Sequence, residues 1–139
     1  MVIYREIYKV KRGDFATAGE ASAKIKSTLK KMGIGPAIIR EVAISSYELE
    51  LNLVIHSMGG ELILEIENGK MSLISKDIGP GIADKALVMQ EGYSTAPESV
   101  RAMGFGAGMG LPNVKRHSHN FSLESEVGKG TVITADYYL

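Results

Sequence analysis

Cysteine and tryptophan are both absent from this chain of 139 residues. Without cysteine there is no disulfide, no thiolate nucleophile and no cysteine-ligated metal. Such a composition suits a reducing cytoplasm, which is the expected location. Neither sign of charge is in excess, since 16 Lys and Arg balance 16 Asp and Glu. The chain therefore lacks the basic field that recruits nucleic acid and the polybasic segment that recruits a membrane surface. No apolar run approaches the roughly 20 residues that a bilayer-spanning helix needs. The opening residues 1–10 alternate in character and do not form the apolar centre of a signal peptide. Repeats and low-complexity tracts are missing too. What is left is 45% hydrophobic and 23% charged, the proportions of a globular protein. Its length allows one domain with a core of its own, and residues 1–139 read as a single unit without an internal boundary.

Glycine, by contrast, is plentiful and unevenly placed. The run Gly104-Phe105-Gly106-Ala107-Gly108-Met109-Gly110 puts glycine at every second position and leads directly into Leu111-Pro112-Asn113-Val114-Lys115-Arg116. Glycine has no Cβ to keep a ligand away and accepts positive φ. Such a run turns backbone N–H groups toward an anion, and a helix beginning after it adds the positive end of its dipole. A phosphate-binding loop is the first reading. It is not a dinucleotide fingerprint, which would need glycine at Met109 or Leu111. Nor is it a P-loop, because Gly69-Lys70 precedes Met71 and Gly128-Lys129 precedes Gly130.

The periodicity along the chain predicts the order β-α-α-β-β-α-β-β. Residues 2–10 alternate as a strand. Asp14 can cap a helix reaching about Met32, with Phe15, Ala18, Ile25, Leu29 and Met32 on its buried face and Gly33 as its stop. Gly35-Pro36 opens a second helix to about Ser57. Residues 61–67 and 71–76 form a hairpin about Asn68-Gly69. A turn spans residues 77–82, and residues 83–103 are mixed, with a short helical pattern at 85–91. The glycine-loop helix runs to about His117, and residues 121–126 and 131–138 make a last hairpin. Strands that arrive as hairpins imply a mainly antiparallel mixed sheet, with helices on one face: an α/β (α+β) two-layer sandwich.

Three further places could carry chemistry. On the second helix, Glu41, Ser45, Glu48, Asn52 and His56 recur at spacings of three and four and share a face. Asn52 offers a neutral oxygen of the kind Mg²⁺ accepts, and Glu48 one turn away could take a proton from an attacking hydroxyl. Alone, such a stripe is more simply a solvated helix face. Asp77-Ile78-Gly79-Pro80-Gly81 could hold a carboxylate, an acceptor only, against an exocyclic amine while the backbone lies along a flat ring; it is equally good turn chemistry. Gly128-Lys129-Gly130-Thr131 is by itself a hairpin turn. His117 and His119 have no carboxylates at ligand spacing, which argues against a metal site built on them.

Taken in order, Glu48-x-x-x-Asn52, Asp77-x-Gly79-x-Gly81, the glycine run and Gly-x-Gly130-Thr131 resemble the N, G1, G2 and G3 boxes of the GHKL ATPase superfamily. That superfamily includes gyrase, the heat-shock-ninety chaperones, sensor histidine kinases and the MutL-type mismatch-repair ATPases. The predicted element order matches its Bergerat-type ATP-binding fold. Within it the chain is most similar to small serine/threonine kinases that act as anti-sigma factors or switch kinases. Beside the boxes, that likeness rests on Gly92-Tyr93-Ser94-Thr95, on Gly108 to Arg116 and on Phe121-Ser122-Leu123-x-Ser125. Two features depart from the pattern: the glycine loop is longer, and Ser75-Lys76 stand where an acidic pair is expected.

The resemblance implies roles residue by residue. Asp77 would bind the adenine amine, supported by Thr131 from the next strand, with Gly79 and Gly81 beside the base. Asn52 would ligate Mg²⁺ and Glu48 would be the general base. Gly106, Gly108 and Gly110 would cradle the β- and γ-phosphates. Residues 83–103 would form a lid, with Ser94 and Thr95 on its phosphate side. Lys115 is a candidate phosphate-side charge and equally an ordinary surface lysine. The implied activity is transfer of phosphate from Mg-ATP to an anti-anti-sigma-like protein. A second implied function is nucleotide-gated sequestration of a sigma factor or phosphatase, and a third is an accessory domain of a larger system. No nucleic acid or membrane partner is implied, and a homodimer is compatible with the sequence.

Overall fold

The computed structural model describes residues 2–11, 13, 16–56, 59–77, 110–126 and 130–139. Its strands are β1 (Val2–Val10), β2 (Gly60–Glu67), β3 (Lys70–Asp77), β4 (Asn120–Glu126) and β5 (Gly130–Tyr138). Three helices lie among the described residues: α1 (Glu20–Lys31), α2 (Pro36–His56) and α3 (Gly110–Arg116). The strands form one sheet in the order β1-β2-β3-β5-β4. Every pairing is antiparallel, so the sheet is simpler than the mixed one expected. The predicted element order holds throughout the described residues. The helical pattern at 85–91 lies outside them.

Strand alternation decides which face is covered. Leu62, Leu64 and Ile66 of β2, Met71 and Leu73 of β3, and Ile133, Ala135 and Tyr137 of β5 share one face and are buried. They pack with Ile25 and Leu29 of α1, with Val42, Leu49 and Leu53 of α2, and with Leu111 and Val114 of α3 in one continuous core. The hairpin between β2 and β3 turns at Asn68-Gly69 with Glu67 opposite Lys70, the register that the pair predicts. On the opposite face Ile63 lies between Ile7 and Ile74 in a cross-strand row, and it too is buried.

Helix α1 departs most from expectation. It begins at Glu20, not after Asp14, which lies outside the described residues along with Phe15. Gly19 stands at its N-cap with φ +102°, a conformation that stops the helix from extending backward. No side chain caps this end locally. The Glu50 carboxylate of α2 does so instead, accepting from Ala21 N–H at 3.2 Å and Ser22 N–H at 3.1 Å. Glu50 is only 3% exposed, and its charge meets the positive end of the α1 dipole. Ile25 and Leu29 are fully buried as expected, but Met32 is 42% exposed, because α1 ends at Lys31 and the chain turns away.

Substituting Glu50→Ala leaves two helix-start N–H groups without their acceptor in a buried place. It is expected to lower stability by about 1–3 kcal/mol. Glu50→Gln, which keeps one acceptor oxygen, is expected to lose less. Urea unfolding midpoints of the two variants check the order.

Candidate functional site

The last residue of β3 is the first anchor. Alternation places Met71, Leu73, Ser75 and Asp77 on the helix-covered face, and Ser75 is 3% exposed while Asp77 is half-buried at the strand end. Thr131 donates its backbone N–H to Asp77 Oδ1 at 2.8 Å. The Thr131 hydroxyl lies 2.9 Å from the Ser125 hydroxyl, and Ser125 Oγ donates to Gly130 O at 3.1 Å. The sequence pointed to Thr131 as the support of Asp77. The support comes from its backbone, while its side chain ties β5 to β4. Burial pushes the Asp77 carboxyl above the ordinary carboxylate range, and the Thr131 N–H partly offsets this.

Glycines on both neighbouring strands make room for this aspartate. A Cβ on Gly60 would meet the Lys76 carbonyl oxygen and would stand 2.8 Å from Asp77 Cα. A Cβ on Gly130 would meet the Asp77 carbonyl oxygen and would stand 3.0 Å from Asp77 Oδ1. Gly130 also has φ +110°, which L side chains rarely adopt. Asp77 is therefore wedged between two backbones that only glycine lets approach.

Helix α2 carries the second group. Its stripe is not the solvated face that the spacing, taken alone, favoured. Ser45 at its centre is completely buried, and Glu48 and Asn52 are half-buried. Ser45 Oγ and Tyr137 OH are both buried and make no hydrogen bond among the described residues, although each is within reach of the other. The stripe is covered by α3. The Glu41 carboxylate meets His117 Nδ1 at 2.5 Å, just beyond the end of α3. Glu48, two turns later on α2, has the Asn113 side chain, one turn earlier on α3, within reach. The two contacts make α2 and α3 antiparallel neighbours. Asn52 continues the same face toward the α3 start at Gly110, the last residue of the glycine run. Burial raises the Glu48 carboxyl above its ordinary value, and the nearby Asn113 amide opposes that shift. The side chain of His56 lies outside the described residues.

The two groups share one end of the molecule. The chain leaves α2 at His56 and enters β2 at Gly60, directly across from Asp77. Asn52, one turn before that exit, therefore lies toward the Asp77 edge of the sheet. Lys115 does not join them. It is exposed, about 200° around α3 from Asn113 at 3.6 residues per turn. Gly79, Gly81, Ser94, Thr95, Gly106, Gly108 and the 83–103 segment lie outside the described residues, and Gly110 is seen as the first residue of α3. Among the described residues no three His, Cys, Asp or Glu side chains gather as a metal site. No helix among them is long and apolar enough to cross a membrane.

Residues 46–138 match the family described as histidine kinase-, DNA gyrase B-, and HSP90-like ATPase. The chain belongs to this family. The match to the histidine kinase-like ATPases starts two residues before Glu48 and ends with β5, so it spans Asn52, Asp77, the glycine run and Thr131. The chain is also 34% identical over 118 residues to the serine/threonine-protein kinase RsbT of Bacillus subtilis (strain 168), covering 82% of this chain and 83% of that protein. Its fold is similar to that of a chain in the crystal structure of the SiaB-SiaC complex from Pseudomonas aeruginosa. The TM-score is 0.64 with 14% identity, over 97% of this chain and 89% of that one.

Three residues and one contact of this region escaped the sequence reading. Gly60 and Glu50 carry no motif signal, because their contacts cross 17 and 29 positions of sequence. Asn113 sat unmarked inside the glycine-loop helix. The Glu41 to His117 contact spans 76 positions, so no local spacing announces it.

The wedge has a direct test. Gly60→Ala and Gly130→Ala are each expected to cost at least about 1–3 kcal/mol by overpacking against backbone, with Gly130→Ala the worse because of its φ. Gly35, with no atom within 4 Å of the place a methyl group would take, is the control. Gly35→Ala is expected to stay within about 1 kcal/mol of wild type. Denaturant unfolding of the three variants reads the difference.

Proposed function

We propose that this chain is an ATP-dependent serine/threonine-protein kinase that phosphorylates a small regulatory protein, as an anti-sigma-factor type kinase does. The observation that carries the proposal is Glu48. It is a half-buried carboxylate on the same helix face as Asn52, on the side of α2 that the helix after the glycine run packs against. Likeness to RsbT over most of both chains supports transfer to a serine or threonine hydroxyl. It favours transfer over sequestration of a sigma factor or phosphatase without kinase activity.

In this reading Asp77 accepts a hydrogen bond from the adenine amine, and Thr131 N–H fixes the carboxylate that does so. Gly79 and Gly81 lie beside the base. Gly106, Gly108 and Gly110 surround the β- and γ-phosphates, with Ser94 and Thr95 as further phosphate-side groups, and Lys115 has no part in it. The 83–103 segment covers the nucleotide and excludes water. Asn52 suits Mg²⁺ by the chemistry of its donor, a neutral amide oxygen beside a carboxylate. Mg²⁺, when bound there, neutralises phosphate charge. Glu48 orients the acceptor hydroxyl and takes its proton. The bond from the hydroxyl oxygen to the γ-phosphorus forms as the bond to the β–γ bridging oxygen breaks, and ADP departs with that oxygen. The partner is a protein, and dependence on ATP is consistent with a cytoplasmic setting.

The chain is to be incubated with γ-labelled Mg-ATP and proteins of the native cell, followed by phosphoamino-acid analysis. Labelled phosphoserine or phosphothreonine on a small protein is expected with wild type and is expected to fall about 10²- to 10⁴-fold with Glu48→Gln. Tight ATP binding without any transfer would sink the kinase reading.

The adenine contact gives a second test. Asp77→Asn presents an amide donor where a charged acceptor stood. The loss of a charge-assisted hydrogen bond is expected to weaken ATP binding about 10- to 100-fold. Asp77 must be ionised to act, and burial raises its pKa. ATP affinity is therefore expected to fall as pH falls through that raised value, with the decline starting above the ordinary carboxylate range. Nucleotide titration as a function of pH checks both; an affinity indifferent to Asp77→Asn would refute the assignment.

A further inference from the structure

We infer that Ser125 is a positioning residue for Asp77, acting through the peptide group that joins Gly130 to Thr131. The inference rests on the proposed role of Asp77 as acceptor of the adenine amine. Ser125 is half-buried on β4, directly opposite Thr131 of β5. Its Oγ donates to Gly130 O at 3.1 Å. The backbone N–H of Thr131 donates to Asp77 Oδ1 at 2.8 Å. That carbonyl and that N–H belong to one peptide group, which resonance keeps planar. Ser125 therefore grips one edge of a rigid plate, and the other edge holds Asp77.

The hydroxyls give the arrangement a direction. A hydroxyl has one proton to donate. With the Ser125 proton on Gly130 O, the Thr131 hydroxyl, 2.9 Å away, is the donor between the two side chains. The chain of donors then runs from Thr131 Oγ1 to Ser125 Oγ, from Ser125 Oγ to Gly130 O, and from Thr131 N to Asp77 Oδ1. Every bond points the same way, so each polarises the next toward the carboxylate.

This relay answers a specific difficulty. Gly130 must lack a Cβ, because one would stand 3.0 Å from Asp77 Oδ1, and its φ of +110° is a value L side chains rarely adopt. The residue that admits Asp77 is thus the one with the most backbone freedom to lose, and it directly precedes the N–H on which Asp77 depends. The β3–β5 pairing ends at Lys76 opposite Val132, one step before Asp77 and Thr131. Ser125 reaches in from β4 and fixes the peptide from the far side.

The test measures binding of the full chain to Mg-ATP and to the magnesium complex of purine riboside triphosphate, which has a hydrogen where adenine has its amine. The ratio of the two affinities isolates the amine contact. Wild type is expected to prefer ATP by about 10-fold or more. Ser125→Ala is expected to shrink that preference roughly 2- to 10-fold, the scale of one neutral hydrogen bond. Its affinity for the purine nucleotide should stay within about twofold of wild type, which also reports an intact fold. Ser125→Thr, which keeps the hydroxyl, should retain more of the preference than Ser125→Ala. In an Asp77→Asn background Ser125→Ala should move the ratio by less than about twofold, because its effect runs through Asp77. An unchanged preference in Ser125→Ala, an equal loss for both nucleotides, or the same change with and without the Asp77 carboxylate would overturn the inference. Equal binding of the two nucleotides by wild type would overturn both this inference and the adenine role of Asp77 beneath it. A preference that responds to Ser125 as expected, without phosphate transfer to any protein, would support the inference and count against the kinase reading alone.

Discussion

The register of β3 between β2 and β5 is the constraint on which the rest depends. Met71 and Leu73 must face the helices to complete the core, and the same alternation carries Asp77 to the helix-covered face at the strand's end. A slip of one residue would send Lys76 inward and Asp77 outward. The register is secured where the tolerance is smallest. Gly60 and Gly130 close on Asp77 from both sides, and the Thr131 N–H takes one carboxylate oxygen. Packing of the apolar core and orientation of the acid are thus one requirement.

The helices add a second polar group at the same edge. A stripe with Ser45 fully buried and Glu48 half-buried is costly to leave bare, and α3 is what covers it. His117 meets that stripe at Glu41, while Leu111 and Val114 enter the core on the other side of α3. A helix of seven residues is too short to hold itself in water. Here its place is fixed by apolar anchors below and a polar clamp on α2.

Much of this was legible because it is written locally. Asn68-Gly69 specifies its hairpin, Pro36 the start of α2, and the alternation of residues 62–66 and 71–73 the covered face of the sheet. Glu48, Asn52, Asp77 and Thr131 were legible as spaced motifs, and the structure brings them to one end of the fold. What the sequence concealed is tertiary. Nothing around Asp14 or Gly19 says that the cap of α1 is Glu50 on another helix. Nothing near Gly60 says that a strand arriving later needs its missing Cβ. The stripe on α2 looked solvated because exposure depends on what docks, and the contact of Glu41 with that partner lies 76 residues downstream. Met32 followed the helical period yet ended outside, because the helix stops one residue before it.

Glu50 gives α1 an unusual dependence. A helix capped by its own flanking residue can form by itself as a fluctuating segment, since its start signal travels with it. Helix α1 has no such signal, and its first turn is satisfied only when α2 lies alongside. The two helices therefore form and open as one cooperative unit, a foldon joined by a carboxylate. Glu50 sits two residues from Glu48 on the same helix, so opening that unit disturbs the segment bearing the proposed base.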